Sequence, residues 1–167
     1  MSQIETQVQF QGTLLNLIGE PAEDPRCRIA PGSRRAYILA GRSKFTIRSP
    51  KTSARYTFKV SLAKPREGMP DRWWVSVLTG SDNKTSYTYA GSLTADGSFR
   101  LGSDATLRLT SPSVAAFVWL ARNWEHPYLE VWHESVCGRC GDTLTVPESI
   151  ERGYGPKCYG YIGKEKI

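Results

Sequence analysis

The chain has 167 residues, 40% of them apolar, with five Trp and eight Tyr, a globular and not a disordered composition that suits one ordinary domain or a compact domain plus a small appendage. No run approaches the ~20 apolar residues of a membrane span, and Met1 to Thr6 lacks the basic start and apolar stretch of a secretory signal, so no membrane partner and a cytoplasmic location are expected. The net charge of +6 is uneven: residues 26–72 hold 13 of the 22 Lys and Arg against only Glu67 and Asp71, the footprint of a surface that meets a polyanion.

In chain order, residues 1–20 place Ile4, Val8, Phe10, Leu14, Leu15, Leu17 and Ile18 at roughly helical spacing, although Val8 to Gln11 also alternates like a strand. Residues 20–31 are rich in proline and charge and predict a loop. Lys44 to Arg48 and Arg55 to Leu62 then alternate polar and apolar across a Ser-Pro-rich turn, which predicts a hairpin. Phe45, Ile47, Tyr56, Phe58, Val60 and Leu62 would face the core, leaving Lys44, Arg48, Arg55 and Lys59 together on the opposite face. Arg72 to Thr79 and Tyr87 to Leu93 read as two more strands, and Thr106 to Thr110 as a short fifth. Ser111-Pro112 opens a helix, with Ser as N-cap and Pro at the first helical position. Its apolar face is Val114, Phe117, Val118, Leu120 and Ala121, and it should stop before His126-Pro127. Tyr128 to Trp132 reads as a strand leading to His133.

The tail carries the strongest motif. His133, Cys137, Cys140 and Cys158 form H-x3-C-x2-C-x17-C, which offers one imidazole and three thiolates to a single tetrahedral ion, most readily a structural Zn²⁺. Gly138 and Gly141 favour a tight knuckle with backbone amides free to bond sulfur. A short helix is expected from Pro147 to Arg152, stopped by Gly153, and Pro156 can start a last turn containing Cys158. His133 is the expected fourth ligand, with Asp142 and Cys27 as alternatives. The knuckle, helix and returning cysteine suggest a small zinc-ribbon or treble-clef-like unit. The fold expected is therefore α+β: a small antiparallel sheet of about five strands, one packed helix and a C-terminal zinc module. The divisions are an N-terminal segment (1–31), a β-rich core domain (32–126) and the metal-binding module (127–167).

Cys137-Gly-Arg-Cys140-Gly141, Leu144-Thr-Val-Pro-Glu-Ser-Ile150 and Gly153-x-Gly155-Pro156-x-Cys158 together resemble a family of small bacteriophage and prophage proteins of unknown function. The chain departs from that pattern at Asp142, where an arginine usually follows the knuckle. The resemblance implies zinc and a mobile-element origin, with the host cytoplasm as location, and implies no reaction.

Enzyme chemistry is not expected. There are two histidines, no nucleophile elbow and no phosphate-binding glycine loop. Cys27 lies between Arg26 and Arg28 but has no evident base partner. The function expected is binding of nucleic acid, single-stranded in particular, through Arg34, Arg35, Arg42, Lys44, Arg48, Lys51, Arg55 and Lys59, with Trp74 as a stacking platform. The alternative is an inhibitor or adaptor that engages an acidic surface on a host protein, such as a defence or nucleic-acid-processing factor.

Overall fold

The computed structural model describes residues 24–162. The reading of residues 1–20 as helix or strand falls outside them. The architecture is α+β, built on one antiparallel sheet. Its strands are β1 (Arg42–Arg48), β2 (Arg55–Leu62), β3 (Arg72–Leu78), β4 (Tyr87–Thr94), β5 (Phe99–Leu101) and β6 (Glu130–His133), in the order β5-β4-β3-β2-β1-β6. The helices are α1 (Arg34–Ile38), α2 (Pro112–Arg122), α3 (Pro147–Arg152) and α4 (Pro156–Ile162).

The hairpin register places Phe45 opposite Phe58, Lys44 opposite Lys59 and Arg48 opposite Arg55. Side chains alternate across the pleat, so the apolar set turns to one side and the cations to the other. On the apolar side Phe45 and Phe58 stack at 5.6 Å between centroids, and Phe117 of α2 lies 6.4 Å and 5.3 Å from them. Phe99 of β5 meets Phe117 edge-on at 5.8 Å. Val75, Val77, Leu93, Val114 and Leu120 fill the surrounding space and are all buried.

Three sequence expectations change. Thr106 to Thr110 forms turns, and the fifth strand is Phe99–Leu101. Phe99 takes the sheet edge because its ring enters the aromatic core, whereas Leu109 gains nothing comparable and stays 55% exposed. Ser111 does not cap α2 through its hydroxyl: its Oγ accepts from the Arg108 N–H at 3.0 Å, while its carbonyl accepts from the Ala115 N–H. The loop expected over residues 20–31 contains a 3-10 turn at Pro25–Cys27, and a second, Pro31–Ser33, leads from its end into α1.

The tail shares the sheet and its core. β6 pairs with β1, setting His133 beside Phe45 and Glu130 beside Arg48, so the segment from 127 onward is bonded to the sheet through its first strand. No helix among the described residues is long and apolar enough to cross a membrane.

The four-ring cluster makes α2 the lid of the core. Phe117→Ala is expected to lower the free energy of unfolding by about 3–5 kcal/mol, read from the midpoint of a urea titration with an unchanged slope.

Candidate metal centre

Local chain chemistry brings the cysteines together. Isolated pairing of Val136 with Thr143, and bonds from Cys137 N–H to Asp142 O and from Leu144 N–H to Ser135 O (each 2.8 Å), close a narrow loop around Cys137 and Cys140. Pro147 opens α3, and Gly153 ends it in the left-handed conformation (φ 77°) that glycine adopts without a Cβ clash. Pro156 then starts α4, whose first turn carries Cys158 back to the knuckle.

A buttress that sequence reading missed supports this turn from below. Tyr37 of α1 is buried, and its hydroxyl donates to Val136 O at 2.8 Å. A Cβ on Gly138 would come within 2.7 Å of the Tyr37 ring, and one on Gly153 within 3.0 Å. Gly138 is thus needed for the close approach of an aromatic ring. The knuckle is also fixed to β1 by Arg42 N–H donating to Gly138 O at 2.8 Å. No periodicity announces Tyr37, because the helix bearing it has only five residues.

The sulfur atoms of Cys137, Cys140 and Cys158 lie within 4.8 Å of one another. Tetrahedral thiolates at ~2.3 Å from Zn²⁺ would be ~3.8 Å apart, so the donor set is close enough to share such an ion. Burial resists ionisation of Cys137, but N–H groups of Cys140, Gly155 and Arg139 directed at its sulfur outweigh that and lower its pKa. Burial, reinforced by the neighbouring Cys137, Cys158 and Asp142 side chains, pushes Cys140 up to about 12. Packed thiols of this kind ionise together only with a cation among them, and metal uptake then releases protons. Arg139 Nη1 approaches Cys158 Sγ at 4.0 Å. The sulfurs border a cavity of about 360 Å³ that Asp142 also lines.

His133 does not join the cysteines, and the expectation of it as fourth ligand is corrected here. Its Nε2 donates to Ile150 O at 2.7 Å, and its Nδ1 accepts the Ser135 N–H at 3.1 Å. Both nitrogens of a neutral ring are therefore committed, and no lone pair is left for a metal. Burial lowers its pKa, opposed by the bond to Ile150. His133 instead ties β6 to α3. Cys27 is also outside the group; its Sγ lies 3.4 Å from Ser135 Oγ.

The cationic residues divide. Arg34 is buried, its guanidinium donating to His126 O and Leu129 O at 2.7 Å, so it is an internal brace and not a contact for ligands. Arg35 is exposed but donates to Ala95 O at 2.8 Å from α1, on the side of the sheet where Tyr37 and Ile38 are buried. Lys51 is exposed in the β1–β2 turn. Arg42, Lys44, Arg48, Arg55 and Lys59 share the side opposite the aromatic core. Arg48 Nη1 lies 3.7 Å from Glu130. Trp74 is 40% exposed and Trp73 is buried, as alternation requires. Trp74 meets Tyr89 edge-on at 6.1 Å and has Arg72 5.9 Å from its centroid.

Residues 131–163 match the model of a family of unknown function (DUF6011). No curated protein and no solved structure matches the chain.

Replacing Cys158 by Ser is expected to abolish stoichiometric metal in purified protein, whereas His133→Gln retains it, as measured by elemental analysis. The neutral His133 ring also gives a pH signature. Below its ordinary pKa of 6.5, the unfolded chain takes up a proton that the folded site refuses, so stability falls as the solution is acidified. The stability advantage of the wild type over His133→Gln should be greatest above pH 6.5 and shrink below it in equilibrium unfolding.

Proposed function

We propose that the protein binds single-stranded nucleic acid on the open face of its sheet, with a structural zinc ion held by Cys137, Cys140 and Cys158. The order of loop, short helix and returning cysteine suits a treble-clef-like module. With His133 engaged elsewhere, water or the Asp142 carboxylate at the cavity wall completes the coordination. The metal supplies a cross-link: about 10–16 kcal/mol of apparent folding free energy is typical of small zinc modules. The chain's own residues supply the binding surface.

The observation that carries this reading is the chemistry of the face left uncovered by α2. The register sets Trp74 opposite Ser61 and Ser92, and Ser61 opposite Arg42, in one transverse row. The next row sets Ser76 beside Lys59 and Tyr89, and Lys59 beside Lys44. Farther along lie Arg48 and Arg55. Cations next to exposed aromatic faces are what a strand with splayed bases requires: phosphates meet ammonium and guanidinium groups, and bases stack on indole and phenol rings. Unlike a sequence-reading groove, such a surface tolerates any base, because every base has a π face. An accessory role in a phage-infected or lysogenic cell accords with the tail motif.

Two outcomes test the reading. Affinity for an oligothymidine should fall steeply with salt, with log K linear in log[salt] and a slope of about −0.7 per phosphate contact. Trp74→Ala should weaken binding by about 1–3 kcal/mol, the usual worth of one base–aromatic stack. Both are measured by fluorescence anisotropy. Salt-insensitive affinity would reject this reading, and retention of a host protein after nuclease treatment would then favour a protein target.

A further inference from the structure

One corner of the open face is more than a charged surface. Arg42 and Lys44 of β1, Lys59 of β2 and Lys84 of the β3–β4 turn line a cavity of about 430 Å³, together with Ser43 and Ser61. Its remaining wall is the metal-binding loop: Val136, Cys140, Gly141 and Asp142. Asp142 is the carboxylate of that wall, and none of the cations forms an ion pair with it or with any other carboxylate among the described residues.

The amines are held in place by neutral acceptors. Lys44 Nζ donates to Asn83 O at 2.7 Å and Lys59 Nζ to Lys84 O at 2.8 Å. The Lys59 ammonium also sits 4.0 Å from the Tyr87 ring centroid, and the Lys44 ammonium 5.8 Å from it. The β3–β4 turn therefore reaches over the hairpin and fixes two ammonium groups without neutralising either. Glu134, which follows β6, has its carboxylate engaged by Thr46 Oγ1 at 2.5 Å and Asn83 Nδ2 at 3.5 Å. Burial lowers the Lys44 pKa, and Lys59 and Lys84 lower it further while Glu134 and Asp82 oppose them. Like charges gathered this way repel one another, and an anion relieves the repulsion.

We infer that this cavity is a phosphate-binding site. The shape of the ligand follows from the neighbouring row. Trp74 stands two strands from Arg42 across Ser61, which is ~10 Å at the usual strand spacing. That separation lets a phosphate rest among Arg42, Lys44, Lys59 and Lys84 while its attached base reaches toward Trp74. The phosphate is that of a nucleotide unit, supplied either by a strand or by a free mononucleotide. The inference rests on the open-face reading only for the first of these sources.

The test is titration of the full chain with thymidine 5′-monophosphate, with thymidine, and with an oligothymidine, followed by calorimetry. Thymidine 5′-monophosphate should bind saturably and thymidine at least tenfold more weakly. Lys59→Gln and Lys44→Gln should each lose at least fivefold for the monophosphate at an unchanged thermal midpoint. Lys59→Arg should restore most of the affinity, and Arg122→Gln, an equal change of charge on α2, should leave it unaltered. Equal losses in Arg122→Gln and Lys59→Gln, or no preference for the monophosphate over thymidine, would overturn the site. Oligothymidine binding without monophosphate binding rejects the pocket and spares the open-face reading. Monophosphate binding without oligothymidine binding keeps the pocket and makes the free nucleotide its ligand.

Discussion

The convergence of three sulfurs at the end of the chain is the constraint on which the remainder of the molecule turns. Cys137 and Cys140 come from one tight loop and Cys158 from the first turn of a separate helix, and the two pieces are also joined by the Gly138 N–H donating to Gly153 O at 3.0 Å. Burial opposes ionisation of Cys140, whereas N–H groups directed at the Cys137 sulfur favour its ionisation. Three ionised thiolates this close would repel one another without a cation among them. With one, the same proximity becomes cohesion, because the charge that repelled the sulfurs now binds them to a common centre.

Packing and hydrogen bonds also support the cluster. Tyr37 lies beneath the loop, with a hydroxyl bond to Val136 and an aromatic face against Gly138 and Gly153. His133 bonds both to α3 and to its own following turn. Through β6 the tail is paired to β1, the strand that also carries Arg42, Lys44 and Arg48. One continuous set of backbone bonds thus joins the sulfur cluster to the cationic face. The loop that carries Cys137 and Cys140 is also one wall of the cavity that gathers Arg42, Lys44, Lys59 and Lys84. The sulfur cluster and the cationic face are neighbours, joined through β6 and β1.

Much of this was legible in residue order. Strict alternation gave the hairpin and its two faces, because a period of two leaves no other way to bury Phe45 and Phe58, although Leu62, expected in the core, is exposed at the strand end. The cysteine spacing announced the cluster, and proline and glycine marked both ends of α3. What escaped notice depended on contacts distant in sequence. Arg34 belongs to the basic run yet is an internal brace for the carbonyls of His126 and Leu129, some ninety residues away. His133 has ligand-like spacing, but a backbone carbonyl from α3 takes the nitrogen that a metal would need. The strand expected at Thr106 to Thr110 lost to Phe99, whose ring had a partner in Phe117. In each case local pattern was sound and tertiary competition decided otherwise.

The coordination sphere itself is the most direct measure of this account. Zinc K-edge absorption on protein purified without added metal should show three sulfur neighbours near ~2.3 Å and one lighter oxygen neighbour. Purified protein free of zinc, or a shell without sulfur, would contradict it.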